Sequence, residues 1–303
     1  MEIFGAGETA ARLPYADLAE SIREVALERK SGDVQAPART ALPLPEGAVL
    51  LVMPASGAGI AITKLVTVHP RNARAGLPTI RGEVIVIEVA TGVRLGLLDG
   101  AVVTARRTAA LSLLAARELA PRPNGPLLIV GAGTQGRAHL EAFHEGLGTS
   151  RVFVNSRSDE RAEALVEHAE RLGMEARVVG DPGEALEETS LVVTATTSRE
   201  PVLPESVADG TFVAAVGTFE PEAAELPPGL VAGAAVVVDT LEGAREEAGD
   251  LIQAQSAGAF DWANAIPLED ALRASERPEE TTIFKSVGHA LWDLAAARTA
   301  FGG

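Results

Sequence analysis

Three glycines at the spacing G-x-G-x-x-G stand in GAGTQGRAHL, residues 131–140, directly after the apolar run Pro126–Val130. The chemistry such a turn performs is phosphate binding. Gly131 permits a tight turn, Gly133 lets the backbone approach a pyrophosphate, and Gly136 lets the following helix sit close to the strand. The start of that helix offers unpaired N–H groups and the positive end of its dipole. A glycine turn that merely joins a strand to a helix is the plainer reading, and it does not require all three glycines in this register. The next strand ends in N-S-R-S, Asn155–Ser158, with no Asp or Glu where a protein that prefers NAD holds both ribose hydroxyls. Arg157, flanked by the hydroxyls of Ser156 and Ser158, suits the 2′-phosphate of NADP instead, which an acid would repel. An exposed arginine at a strand end is the alternative.

A second set of residues suits a carboxylate. Of 26 lysines and arginines only Lys30, Lys64 and Lys285 are lysines, so a purely surface cation in this chain is ordinarily an arginine. Lys30 ends a helix at the surface. Lys64 lies within the apolar stretch GIAITKLVTV, where burying an unpaired ammonium is costly. It needs a ligand anion, a carboxylate of its own domain, or an escape of its head to the surface. Arg106 and Arg107 open a long helix after Thr104, and Arg39 lies in QAPARTALP, so three cationic regions precede the glycine turn and can converge on one carboxylate. No Ser–His–Asp or metal-ligand spacing is recognisable. His69, beside Pro70 at a strand end, and His139, in the helix after the turn, read as structural residues.

The surrounding sequence supplies the elements that hold these groups. Pro14–Lys30 carries Leu18, Ile22 and Val25 at helical spacing and stops at Gly32. Ala48–Met53, Ile60–Val68 and Glu83–Val89 read as strands of a small sheet, and Val102–Leu119 as a long helix that PRPNGP at 121–126 breaks. From Leu127 the rhythm changes. Strands at 127–130, 151–155, 176–179, 190–195, 211–216 and 235–239 alternate with helices at 135–146, 158–171 and 183–188, and Ala290–Ala300 closes the chain as a helix. That alternation implies an α/β fold with a Rossmann-type, doubly wound parallel sheet beside a second, α+β domain.

At 303 residues the chain exceeds the ~250–300 at which one core stops growing, so two domains are expected. Its 47% apolar and 22% charged residues are those of a soluble globular protein. No run approaches the ~20 apolar residues of a membrane span and the N-terminus lacks the features of a signal peptide, so no membrane partner is expected and the cytoplasm is the expected compartment. Zero cysteines exclude disulfides, thiolate metal sites and cysteine nucleophiles. A formal charge of −16 argues against a nucleic-acid partner, and an anionic small molecule then requires a local cationic pocket.

The blocks LLVMPA (50–55), TKLVTVHPRN (63–72), TARRTAALSLLAAR (104–117), GAGTQGRAH (131–139), TATTS (194–198), EAGDL (247–251) and FKSVG (284–288) occur in an order that resembles the ornithine cyclodeaminase/mu-crystallin family over nearly the whole chain. Within it the sequence is most similar to bacterial reductases of Δ1-pyrroline-2-carboxylate and Δ1-piperideine-2-carboxylate, through LDG before the Arg-rich helix and AVGTFEPEAAEL at 215–226. The resemblance implies a substrate-carboxylate clamp of Arg39, Lys64 and Arg107 with Thr79 nearby, Arg106 occupying a variable position. It implies cofactor contacts at Thr134 and Gln135, at Ser156, Arg157 and Ser158, at Thr196 on the nicotinamide side, and at Ser286. It also implies a substrate-binding and dimerisation domain of residues 1–120 plus 287–303, a dinucleotide-binding domain of 121–286, and a homodimer.

One departure matters. Family cyclodeaminases place an acid/base Asp after the AVG strand, where this chain has Phe219, and Glu220 is offset by one position. The implied activity is therefore NADPH-dependent reduction of a small cyclic imino acid, Δ1-pyrroline-2-carboxylate or Δ1-piperideine-2-carboxylate, with NADH as a possible donor. The other activities of the resemblance are ornithine cyclodeamination, alanine dehydrogenation, and non-catalytic binding of NADPH and a hydrophobic ligand. The low aromatic content, 4%, offers little for stacking a large ring.

Overall fold

The computed structural model describes residues 1–302, and all side chains among them but those of residues 73 and 74. In chain order the elements begin β1 (Glu2–Ile3), α1 (Ala6–Ala11), α2 (Tyr15–Ser31), β2 (Thr40–Pro43), β3 (Val49–Gly57), β4 (Ile60–Val68), β5 (Ile80–Glu88), β6 (Arg94–Asp99) and α3 (Gly100–Leu119). They continue with β7 (Leu127–Val130), α4 (Thr134–Leu147), β8 (Arg151–Asn155), α5 (Asp159–Arg171), β9 (Glu175–Val178), α6 (Gly183–Leu186), β10 (Leu191–Thr194) and β11 (Phe212–Ala215). The last are α7 (Pro228–Ala232), β12 (Ala235–Val238), α8 (Leu241–Glu247), α9 (Gly249–Ser256), β13 (Ile266–Pro267), α10 (Leu268–Ala271), β14 (Thr282–Lys285) and α11 (Ala290–Phe301).

These elements form two units, Met1–Ala110 with the chain from Ala290 onward, and Leu111–His289. The first is built on a six-stranded sheet in the order β1-β6-β5-β4-β3-β2, antiparallel except for the β1–β6 pair. Alternation sets its faces. Ile62, Lys64 and Val66 of β4 are buried with Met53, Ala55, Val84 and Val86, whereas Thr63, Leu65 and Thr67 lie half-buried on the other face. The inner face carries α11, against which α2 packs, and the two helices are joined where the Arg298 guanidinium donates to both Glu28 oxygens at 3.0 and 2.8 Å.

The second unit holds an eight-stranded, all-parallel sheet in the order β13-β12-β14-β11-β10-β7-β8-β9. Its central strands LLIV, LVVT, FVAA and TIFK are buried at every position, as strands covered on both faces must be. The order reverses at β7, with β8 and β9 on one side and β10 and β11 on the other.

A helix-breaking stretch at 121–126 suggested the end of α3 as the domain boundary, yet the division falls inside the helix. The reason is packing. Beyond Ala110 the helix belongs to the second unit, where Ser112 Oγ lies 2.9 Å from His139 Nε2 and a Cβ at Gly146 would come within 2.5 Å of Leu113. No described helix is long and apolar enough to cross a membrane.

Candidate active site

In the first unit the fold brings Lys64 of β4, Arg107 of α3 and Asp293 of α11 together on the inner face of the sheet. The Lys64 ammonium donates to the two Asp293 oxygens at 3.1 and 3.3 Å, and Arg107 Nε donates to Asp293 Oδ1 at 3.3 Å. Lys64 is 3% exposed, Arg107 6% and Asp293 0%. Two buried cations share one carboxylate, so the cluster keeps a positive charge. Burial pushes the Lys64 ammonium down from 10.5 to about 8 against the pull of Asp293, and the charges of Arg107 and Arg39 add to the push. Half-buried Arg39, just before β2, is thus close enough for its charge to act on Lys64.

The bonds that join Lys64, Arg107 and Asp293 do not include Thr79, which stands half-buried before β5 and accepts the His69 N–H on its carbonyl at 2.7 Å. Arg106 points elsewhere, with its Nε donating to the Leu13 carbonyl at 2.7 Å and its guanidinium 3.8 Å above the Tyr15 ring. Of two consecutive arginines, one is structural and one is in the cluster.

In the second unit the glycine turn leads from β7 into α4. Gly131 has φ +112°, and a Cβ there would lie 2.4 Å from the Ala195 carbonyl oxygen. A Cβ at Gly136 would lie 2.0 Å from the Gly131 carbonyl oxygen. These two glycines are demanded by the fold itself. Gly133 is not, because a Cβ there meets nothing within 4 Å, which leaves open space beside the turn. The start of α4, at Thr134, is capped by no side chain and has no acid in its first turn, so its amides and dipole face that space. Gln135 Oε1 is buried and has no hydrogen-bond partner among the described residues.

After β8, exposed Arg157 donates to the Thr197 hydroxyl at 3.2 Å. Ser156 Oγ accepts the Ser158 N–H, while Ser158 Oγ accepts the Arg161 N–H and caps α5, so the hydroxyl of Ser158 already has a structural task. Asn155 donates its amide to the carbonyls of Val179 and Gly180, both at 3.0 Å, and the absence of an acid at the strand end leaves Arg157 as the charged group there. Thr196 and Ser286 are tied to buried carboxylates. Thr196 donates its N–H and hydroxyl to Glu225 Oε1, and Ser286 donates to Asp239 Oδ2 at 2.8 Å.

His139 is fully buried, with Nδ1 2.7 Å from the Gln135 carbonyl, and burial pushes its pKa down to about 4. It is a neutral packing residue. Phe219 is 49% exposed, and the neighbouring Glu220 carboxylate accepts from Arg199 at 3.2 Å, so the offset acid is engaged in a surface pair.

Sequence reasoning missed Asp293, Glu225, Asp250 and Asp239, all 0–1% exposed. The signal that singled out Lys64 was available for Asp293, the one charged group in ALWDLAAA, and was applied to cations only.

A comparison with known proteins bears on the whole chain. The Δ1-pyrroline-2-carboxylate/Δ1-piperideine-2-carboxylate reductase of Azospirillum brasilense is 39% identical over 299 residues, spanning 98% of this chain and 94% of that protein. Δ1-Pyrroline-2-carboxylate reductase 2 of Burkholderia ambifaria is 40% identical over 299 residues, again 98% and 94% of the two chains. A solved structure of the Thermococcus litoralis Δ1-pyrroline-2-carboxylate reductase in complex with NADH and L-proline is similar at a TM-score of 0.92 and 29% identity, over 100% of this chain and 97% of that one. Residues 6–301 match the ornithine cyclodeaminase/mu-crystallin family, and the chain belongs to it.

Proposed function

We propose that this protein is an NAD(P)H-dependent reductase of a cyclic imine that carries a 2-carboxylate. Its substrates are Δ1-pyrroline-2-carboxylate, reduced to L-proline, and the six-membered Δ1-piperideine-2-carboxylate, reduced to L-pipecolate. The observation that carries the reading is the surplus of buried positive charge on Lys64 and Arg107 around Asp293 in a chain of net charge −16. That surplus suits one carboxylate, and relatives at 39–40% identity are named for these substrates.

The residues of the glycine turn fit a dinucleotide. The α4 amides at Thr134 and Gln135 would hold the pyrophosphate beside Gly133, Arg157 and Ser156 the ribose phosphate, and the Thr196 and Ser286 loops the nicotinamide side. A bound dihydronicotinamide supplies the hydride. The chain's own contribution is positioning and charge: Lys64 and Arg107, together with Arg39 and Thr79, would hold the carboxylate and so fix the adjacent C=N carbon. A substrate that arrives as an iminium needs no proton from the protein, and no residue is assigned as general acid.

The unit that contains Lys64 is the substrate-binding and dimerisation domain, the unit that contains the glycine turn is the dinucleotide domain, and the protein works as a cytoplasmic homodimer. The test is a substrate panel followed by nicotinamide absorbance. Cyclic imine 2-carboxylates should be reduced with NADPH or NADH, and pyruvate with ammonia and L-ornithine with NAD should be turned over poorly. Turnover of L-ornithine or of pyruvate with ammonia, with no reduction of either imine, would refute the reading.

A further inference from the structure

Besides Asp239, the buried acids of the second unit include Glu225 and Asp250, which the proposed chemistry does not use. Glu225 Oε1 accepts the Thr196 N–H at 2.7 Å and the Thr196 hydroxyl at 2.8 Å, and Oε2 accepts the Gly217 N–H at 2.7 Å. Thr196 lies in the loop after β10 and Gly217 in the loop after β11, so one carboxylate ties together the C-terminal ends of two neighbouring strands. The approach is close. A Cβ at Gly217 would lie 2.3 Å from the Thr196 carbonyl oxygen and 2.4 Å from Glu225 Oε1.

Behind Glu225 stands a second layer. Asp250, near the start of α9, accepts the backbone N–H groups of Glu225 and Leu226 on Oδ1 at 2.6 and 2.8 Å. Its Oδ2 lies 2.5 Å from the Lys285 ammonium and accepts the Thr218 hydroxyl at 3.3 Å. Lys285, the last residue of β14, also donates to the Thr218 carbonyl at 2.9 Å. This is the third lysine of the chain, and like Lys64 it is buried against an acid.

The place of these groups in the sheet assigns them a task. In a doubly wound sheet a dinucleotide lies outside the C-terminal ends of the strands and across the point where the order reverses. Here the glycine turn follows β7 and Arg157 follows β8, so the second nucleoside falls over the ends of β10 and β11. We propose that Glu225 is a positioning residue that fixes the loops after β10 and β11 as the floor for the nicotinamide half of the dinucleotide, with the Lys285–Asp250 pair holding it in place.

Three donors on one carboxyl favour its ionised form, in which both oxygens act purely as acceptors. Burial pushes the Glu225 carboxyl up from its ordinary value, Lys285 opposes that push and Asp250 adds to it. A glutamine satisfies Thr196 or Gly217 but sets its NH2 against the N–H of the other.

The inference rests on the dinucleotide reading of this unit, and the experiment separates the two. Full-length wild type and Glu225→Gln are titrated with NADH by fluorescence and with ADP by calorimetry, and the steady-state KM for NADH and kcat are measured alongside melting temperature. Loss of one or two charge-assisted bonds should weaken NADH binding and raise its KM about tenfold or more. Affinity for ADP, which reaches only the turn and the β8 side, should stay within about twofold. Equal NADH affinity in a folded Glu225→Gln protein overturns the proposal, as does an equal loss of NADH and ADP binding. Wild type that binds neither ligand overturns the dinucleotide reading itself. Should Glu225→Gln fail to fold, Thr218→Val removes only the hydroxyl between Lys285 and Asp250. It should show the same split at smaller amplitude, and unchanged NADH affinity there counts against the proposal.

Discussion

The Lys64–Asp293–Arg107 cluster separates two tasks that a buried ion pair usually merges. Asp293 is the counter-ion that makes burying two cations tolerable, and in the proposed function the cations are what a substrate carboxylate would meet. Lys64→Met leaves Asp293 paired with Arg107, a neutral pair, so its stability loss should be modest. Its kcat/KM should fall roughly tenfold to a hundredfold, the value of a charge-assisted bond of about 1.5 to 3 kcal/mol. Asp293→Asn leaves Lys64 and Arg107 as unpaired like charges, and breaking a buried pair in that way costs about 3 to 5 kcal/mol. Melting temperatures and kinetics measured on both variants should therefore cross over, and near-normal turnover in Lys64→Met would remove Lys64 from the clamp. The charge on Lys64 gives a second readout. With its pKa at about 8, the ammonium is present below that pH and lost above it, so kcat/KM for the anionic substrate should fall as pH rises through about 8. Asp293 favours the charged form, so in Asp293→Asn that limb should move to lower pH; the substrate's own titration is common to both proteins. A limb that stays in place or moves upward would contradict the assignment. Lys64 was legible in the sequence because a cation in an apolar run is rare in this chain, but its partner lies 229 residues away, and no local pattern encodes such a pairing.

At the scale of elements, the glycine turn shows how much a motif can state on its own. The spacing G-x-G-x-x-G located the strand, the turn and the helix, and the structure divides the three glycines by cause. Gly136→Ala would drive its Cβ into the Gly131 carbonyl and should lower the melting temperature markedly. Gly133 sits in extended backbone at φ −91°, ψ −165°, with open space around its missing Cβ, so Gly133→Ala should melt like wild type. The methyl would instead occupy the pyrophosphate's approach, and binding of NADH and ADP should weaken about tenfold or more, by titration on the folded variant. A Gly133→Ala protein that binds both normally would leave Gly133 without the function assigned to it. Sequence periodicity was informative for long elements such as α2, α3 and β4. It failed for β14, whose four residues TIFK lie between β11 and β12 in the sheet. A strand buried on both faces has no alternation, and four apolar residues ending in lysine resemble any short loop. Because Lys285 and its acid partners hang on that strand, missing the element also hid the buried network behind Thr196.

For the whole molecule the face that bears on assembly is that of the six-stranded sheet opposite α11. Val52 pairs with Leu65 and Ile85 with Leu97 across neighbouring strands, all four on this face and half-buried, and Leu42 at its edge is 53% exposed. These apolar pairs, set among Thr63, Thr67 and Glu83 of the same face, make it the expected site of association with a second copy. Each chain carries −16, so two copies repel at long range, yet screening confines that repulsion to about 8 Å at physiological ionic strength, whereas apolar burial contributes about 25 cal/mol per Å² at contact. Apolar association is the larger effect once the faces meet, and added salt should strengthen it. Light scattering at micromolar concentration should therefore give the mass of a dimer that resists dilution better at high salt. Ile85→Glu combined with Leu97→Glu places like charges directly opposite one another and against their counterparts, and should give a monomer. A wild-type monomer under these conditions, or a double variant that stays dimeric, would place the association elsewhere.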